Sequence, residues 1–192
     1  MDLVVNAMNT TLLEQYYPNR AQTPLRAWGA AAGFFLSLAR LLAKDAIGEV
    51  LARYARAVDS ADLALIRSVY WPEATDDHGN FSGNAMEFAE FAVEVLKGFR
   101  TTMHFLTNIG IDFPTQDQAD VQCYFYAYHE HVQEPDGSPP MVTIVGGRYL
   151  DRFEQRGDEW RILTRIVTMD WNEHRPSAAL GIEAQQHFQK HG

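Results

Sequence analysis

The chain has a single cysteine, Cys123, among 192 residues. That excludes an internal disulfide and any cysteine-based zinc cluster, and it suits a reducing compartment, so cytoplasm is the expected location. Basic residues are also few: 16 Lys+Arg face 25 Asp+Glu, for a net charge of −9 with no basic run. Such a balance repels phosphate backbones and anionic lipid, so neither a nucleic-acid nor a membrane partner is expected. There is no internal repeat and no low-complexity tract. Nor is there an uninterrupted apolar run of spanning length, because the most apolar stretch, residues 27–43 (AWGAAAGFFLSLARLLA), contains Arg40. That stretch begins too far from Met1 for a simple signal peptide and lacks a small-x-small cleavage site. Its Phe35, Leu36, Leu38 and Leu42 recur at helical spacing, which predicts a helix docked on the domain or on a partner subunit. Residues 1–23 read as irregular.

What is present is the composition of one globular domain, with 46% hydrophobic residues and enough length for a sizeable core. Ile47, Val50, Leu51, Tyr54 and Val58 trace one buried helical face that closes at Asp59. Ser60 then reads as the cap of a short second helix with Leu63, Ile66 and Tyr70 on one side, stopped by Trp71-Pro72. Asn84 with Glu87 resembles a capping box opening a third helix, whose Phe88, Phe91, Ala92, Val95 and Phe99 form a stripe ending near Gly98.

Beyond residue 100 the period changes. Residues 101–113, 119–132, 141–155 and 159–171 are rich in Tyr, Phe, Val, Ile and Thr, and are separated by the turn signals PTQDQ, EPDGSPP and QRGDE. A short extra strand is expected around residues 74–82. The predicted fold is α+β: a cone-shaped, curved, mixed but mainly antiparallel sheet on three N-terminal helices, with an added helical extension. The expected division is an extension over 1–42, the cone domain over 43–172 and a tail over 173–192. One sheet face needs a cover beyond three helices, so a homo-oligomer, dimer or trimer, is expected, with the Tyr124, Tyr126 and Tyr128 face and the N-terminal helix as candidate contacts.

Chemistry converges on few residues. His104 sits in an apolar strand within TTMHF, downstream of the helix ending in Asp59, and an imidazole beside a carboxylate can abstract protons. Alternation places Cys123, Phe125, Ala127, His129 and His131 on one strand face, and Arg161, Leu163, Arg165, Val167, Met169 and Trp171 on another. Each has a plainer reading. A strand histidine is more often a packed side chain, Asp59 could cap the second helix, and Arg165 could pair with Asp59 or another acid. His129-x-His131 has metal-ligand spacing but no recognisable third ligand, so no metal site is expected. His174 and His187 fall in the polar tail and read as solvated.

The run AIGEVLARYARAVDSADLALIRSVYWPEATDDHGNFSG, then TTMHFLTN, then GGRYLDRFEQRGDEWRI and TRIVTMDW resembles the SnoaL-like branch of the nuclear transport factor 2-like superfamily, over about residues 43 to 172. The resemblance implies a pocket with Asp59 and His104 as a catalytic pair, as in scytalone dehydratase and hexachlorocyclohexane dehydrochlorinase. By the same resemblance His129 matches a second pocket histidine, Arg165 a pocket arginine of the dehydrochlorinase, and Tyr54 a tyrosine of bile-acid dehydratases. Val58 and His78 stand where scytalone dehydratase has two tyrosines. Scytalone is therefore not the expected substrate, and His78 or Tyr54 is the expected replacement donor.

The function so implied is a lyase or isomerase of dehydratase type that needs no cofactor. His104 would be the base, Asp59 its orienting partner, His129, Tyr54 or His78 a proton donor, and Arg165 a stabiliser of developing negative charge. Phe105, Phe125, Met169 and Trp171 are expected to line the pocket, and with His78 to bind a small hydrophobic, ring-containing substrate. The alternatives are a non-catalytic scaffold, like the β subunits of ring-hydroxylating dioxygenases, and a protein that only binds a small molecule.

Overall fold

A computed structural model of the chain describes residues 30–132 and 138–177, with side chains from residue 36 onward. The irregular segment expected over 1–23, the first four residues of the EPDGSPP turn and His187 lie outside the described residues.

The first helix, α1 (Ala30–Asp59), is continuous across the expected boundary at residue 42. The two apolar segments predicted as separate helices join because nothing between them breaks a helix: Lys44 and Asp45 are tolerated helix residues and Gly48 weakens the turn without ending it. Its C-terminal half carries the core stripe, with Ile47, Leu51, Tyr54 and Ala57 buried. The spacing predicted docking on the domain or on a partner subunit, and Leu38, Leu41 and Leu42 of its N-terminal half are exposed rather than packed on the domain.

Ser60 does not cap the second helix. Its hydroxyl donates back to the Arg56 carbonyl at 2.8 Å, helping to end α1. Asp62 instead accepts from the Leu65 N–H at 3.0 Å and caps α2 (Leu63–Ser68). Asn84 caps α3 (Ala85–Leu96) as expected, accepting from the Met86 N–H at 2.7 Å.

Six strands follow the order β2-β1-β6-β5-β4-β3 in one open mixed sheet: β1 (Tyr70–Asp77), β2 (Ser82–Asn84), β3 (Phe99–Asp112), β4 (Gln118–His131), β5 (Met141–Arg156) and β6 (Glu159–Pro176). All pairings are antiparallel except β1 with β6. β1 begins where the second helix was expected to stop, so Tyr70 and Trp71 enter the sheet. β6 runs past the expected domain end and pairs up to Pro176 with Met141.

Two irregularities in β6 decide which side chains face inward. Thr164 pairs with Arg152 but Ile162 with Phe153, and Met169 pairs with Gly147 but Trp171 with Gly146. Leu163 and Asp170 are therefore extra residues, and each reverses the alternation. Arg165 shares the inner face with Trp160, Ile162 and Val167, all buried, and not with Arg161 and Leu163.

The buried residues of α1, α2 and α3 pack on that inner face in one cluster that includes Phe88, Val121, Phe125, Tyr149 and Phe153. β3 forms one edge of the sheet. The C-terminal end of α1 lies against it and brings Asp59 to the edge.

Candidate active site

Asp59 is the last residue of α1 and receives three hydrogen bonds from β3. The His104 ring nitrogen Nδ1 lies 2.7 Å from Oδ1, the His104 backbone N–H donates to Oδ2 at 3.1 Å, and the Thr102 hydroxyl donates to Oδ1 at 3.2 Å. An edge strand has backbone N–H groups with no neighbouring strand, and the carboxylate satisfies one of them while fixing the ring. The His104 side chain is 10% exposed and that of Asp59 29%. With Nδ1 facing a carboxylate, Nε2 is the nitrogen left to meet a substrate. Thr102 was not singled out in the sequence, although it lies two residues before His104 on the same face.

His129 meets His104 edge to face, with ring centroids 5.3 Å apart. It sits inward because Thr102 pairs with His129 and His104 with Ala127, adjacent inward rows of the ladder. Burial first, and then the neighbouring His104 charge, push the His129 pKa down to about 4. It is a neutral imidazole at neutral pH. His131 diverges from it, with Nε2 2.8 Å from the Thr143 hydroxyl. The same hydroxyl lies 3.0 Å from Nδ1 of His174, which belongs to β6.

A second polar cluster lies deeper. Arg165 is wholly buried and holds Asp151 through both arms of its fork, Nε to Oδ1 at 2.8 Å and Nη2 to Oδ2 at 2.7 Å. Its guanidinium carbon is 4.1 Å from the ring centres of both Tyr54 and Tyr149. Burial opposes the charge on Arg165, but the Asp151 carboxylate first, and then the ionisable hydroxyls of Tyr70 and Tyr54, hold its pKa well above the ordinary arginine value. Burial likewise pushes the Tyr54 and Tyr149 hydroxyls up, so both stay protonated. Arg165 was expected to face a developing anion. Its fork is instead given to Asp151, directly opposite it in the β5–β6 register. Asp151 carried a usable signal, an acid within an apolar strand, but only the register pairs it with Arg165.

Phe125 links the two clusters. Its ring stacks on Tyr149 at 4.7 Å, and its strand partner Leu106 lies in the row next to that of His104. Gly147 makes this possible, since a Cβ there would lie 2.8 Å from the Phe125 ring. Met169 pairs with Gly147 in the same inward row and is exposed. Phe105 and Trp171 are not lining residues. Phe105 follows His104 in an unbroken strand and so points outward, and the extra Asp170 turns Trp171 outward with it. Both contact Tyr126 on the outer face, at 6.1 Å and 5.9 Å between ring centres.

A cleft of about 290 Å³ beside Asp59 is lined by Val58, Asp59, Leu96, Phe99 and Thr102 among others. Cys123 is buried beneath the sheet, and burial pushes its thiol up to about 12, which makes it unreactive.

A family model described as a SnoaL-like domain matches residues 39–166. The chain belongs to the SnoaL-like family. Among curated proteins, this SnoaL-like chain is similar to the terrestric acid biosynthesis cluster protein E of Penicillium crustosum. They are 27% identical over 139 residues, which cover 68% of this chain and 85% of that protein. Among solved structures it resembles a hexachlorocyclohexane dehydrochlorinase of type 2, at TM-score 0.67 and 18% identity over 76% of this chain and 99% of that one. It also resembles a provisionally assigned scytalone dehydratase from Novosphingobium aromaticivorans, at TM-score 0.64 and 20% identity over 76% and 97% of the two chains. At these identities the structural likeness shows the fold.

Proposed function

We propose that this SnoaL-like protein is a lyase or isomerase of dehydratase type, working without a cofactor, in which His104 is the general base and Asp59 its orienting partner. The observation that carries the reading is the double hold of one carboxylate on one histidine, at ring Nδ1 and at the backbone N–H. A carboxylate on Nδ1 fixes the tautomer with a lone pair on Nε2 and stabilises the imidazolium once a proton is taken. A base so placed contributes about 10² to 10⁴ in rate. Neutral His129 beside it adds no second positive charge to oppose proton uptake.

The substrate class is a small hydrophobic compound with a ring, accommodated against Phe125 and Met169. The names of the relatives support this, since one belongs to a terrestric acid biosynthesis cluster and two are named as a scytalone dehydratase and a hexachlorocyclohexane dehydrochlorinase. Arg165 and Tyr54 act as the floor beneath that space. No helix among the described residues is long and apolar enough to cross a membrane, and a cytoplasmic protein fits the single buried cysteine. The outer sheet face, with Met103, Phe105, Tyr126 and Trp171 exposed, supports a homo-oligomer.

The test is hydrogen exchange from carbon. Bicyclic aryl ketones incubated with the protein in deuterated water should exchange an α-hydrogen, and His104→Ala should abolish exchange without lowering the melting temperature. Undiminished exchange in that variant sinks the assignment.

A further inference from the structure

Three acids are buried, and each is already matched. Asp151 is held by the Arg165 fork, and Asp76 by the Tyr70 hydroxyl at 2.6 Å and by Nδ1 of His78 at 2.6 Å. His78 is packed on Phe88, with ring centres 4.4 Å apart. Glu130 takes the Arg100 guanidinium and the Ser177 hydroxyl. Asp59 differs, because its side chain is partly exposed and lines the cleft of about 290 Å³. An ionised carboxylate accepts about four hydrogen bonds, and Asp59 receives two at Oδ1 and one at Oδ2 from β3. That leaves one lone pair of Oδ2 without a partner among the described residues.

The cleft lies where two helices end. Val58, Asp59 and Ser60 come from the C-terminal end of α1, which is 30 residues long, and Leu96 is the last residue of α3. A helix C-terminus carries about half a negative charge, so the two ends add to the carboxylate. The nearby cations are committed elsewhere: Lys97 pairs with Glu94, and Arg100, which also lines the cleft, pairs with Glu130. Arg56, in the last turn of α1, is exposed and outside the lining. A net charge of −9 over the whole chain draws cations toward it.

The walls select among cations. A divalent metal ion needs several close ligands, and among the described residues no group of three or more His, Cys, Asp or Glu side chains could supply them. Val58, Leu96 and Phe99 offer apolar surface instead. An organic ammonium suits both parts, with its N–H groups on Oδ2 and its apolar body on those side chains. Phe99 also touches His129 and His131, with ring centres 4.9 Å apart in each case, so an occupant lies one side chain from the inward histidines.

We propose that this cleft binds a small organic ammonium ion with a short apolar body, and that its occupant draws on the carboxylate that holds His104. The second half rests on His104 being the base. An ammonium on Oδ2 shares the negative charge that steadies the imidazolium at Nδ1, so proton abstraction slows while the cleft is filled. By linkage, uptake of a proton at His104 weakens the hold on the ammonium by the same factor.

Benzylammonium is the probe, with benzyl alcohol as its uncharged match, in isothermal titrations at fixed ionic strength. Wild type should bind the ammonium at least about tenfold more tightly than the alcohol. Leu96→Trp fills the cleft from the end of α3 and should lose that binding while keeping its carbon-hydrogen exchange. Thr101→Trp fills it from β3 and serves if the first variant does not fold. Saturating benzylammonium should move the His104 ring-nitrogen signals in NMR and slow exchange by wild type by about tenfold, with no effect on exchange by the filled variant. Absence of binding by wild type, equal affinity for the two probes, or undiminished ammonium binding by a folded, filled variant overturns the site. Binding that leaves both the His104 signals and the exchange rate unchanged overturns the coupling. Retained exchange in His104→Ala overturns the assignment of the base instead, while the titration still reports on the cleft.

Discussion

Asp59 grips His104 at two points, the ring Nδ1 at 2.7 Å and the backbone N–H at 3.1 Å. The helix end and the edge strand are thereby joined through the residue proposed to do the chemistry. Asp59→Asn keeps a similar shape but offers its NH₂ or its carbonyl to a ring that needs a carboxylate. Carbon-hydrogen exchange should fall by about 10² to 10⁴. A rate within threefold of wild type would remove Asp59 from the mechanism.

His129 should leave a signature in acid stability. Its folded pKa, about 4, lies below the ordinary histidine value, so between the two the unfolded chain binds more protons. Stability is then fully present above the ordinary histidine range and is lost as pH falls through it toward about 4. The loss is on the order of 3 kcal/mol. Urea denaturation of wild type and His129→Gln across that window should show a shallower slope in the variant. Parallel slopes would contradict the burial argument.

The Arg165–Asp151 pair should be costly to break singly. Arg165→Met leaves a buried carboxylate alone and should destabilise by about 3–5 kcal/mol, and Asp151→Asn should do comparable harm to the arginine. The double variant Arg165→Met/Asp151→Leu should recover much of that loss, because it also removes the desolvation of both charges. Strict additivity in denaturant titrations would mean that the two residues do not act as a pair.

Gly147 allows β5 and β6 to close over Phe125. A Cβ there would lie 2.0 Å from the Thr168 carbonyl oxygen and 2.8 Å from the Phe125 ring. Gly147→Ala should cost about 1–3 kcal/mol and displace Phe125 from its stack on Tyr149. Thermal unfolding checks the first effect and near-ultraviolet circular dichroism the second.

The outer row of Phe105, Tyr126 and Trp171 should lie between subunits. Trp171→Ser should shift the protein toward monomer in analytical ultracentrifugation, and Leu38→Ser on the exposed half of α1 provides an independent comparison. A wild-type monomer at high concentration would refute the assembly.

Several of these features were legible in the sequence because they are local. The 3.6-residue stripe of Ile47, Leu51, Tyr54 and Val58 required a buried helix face, Asn84 required a cap, and four long aromatic and β-branched runs required antiparallel strands. His104 and Asp59 could be paired because a resemblance covers both their segments. Chain order alone carries no distance between a helix end and a strand 45 residues later.

What the tertiary structure decided is everything that depends on register. Two extra residues in β6, Leu163 and Asp170, reverse the alternation, and that reversal buries Arg165 against Asp151 and sends Trp171 to the outer face. The Asp76–His78 contact is close in sequence, yet its burial comes from Tyr70, Phe88 and Tyr149, which β1, α3 and β5 supply from three separate parts of the chain. Periodicity fixes which residues share a face within one element. Only the pairing of elements fixes what that face meets, because a single bulge changes every contact beyond it without changing the local pattern.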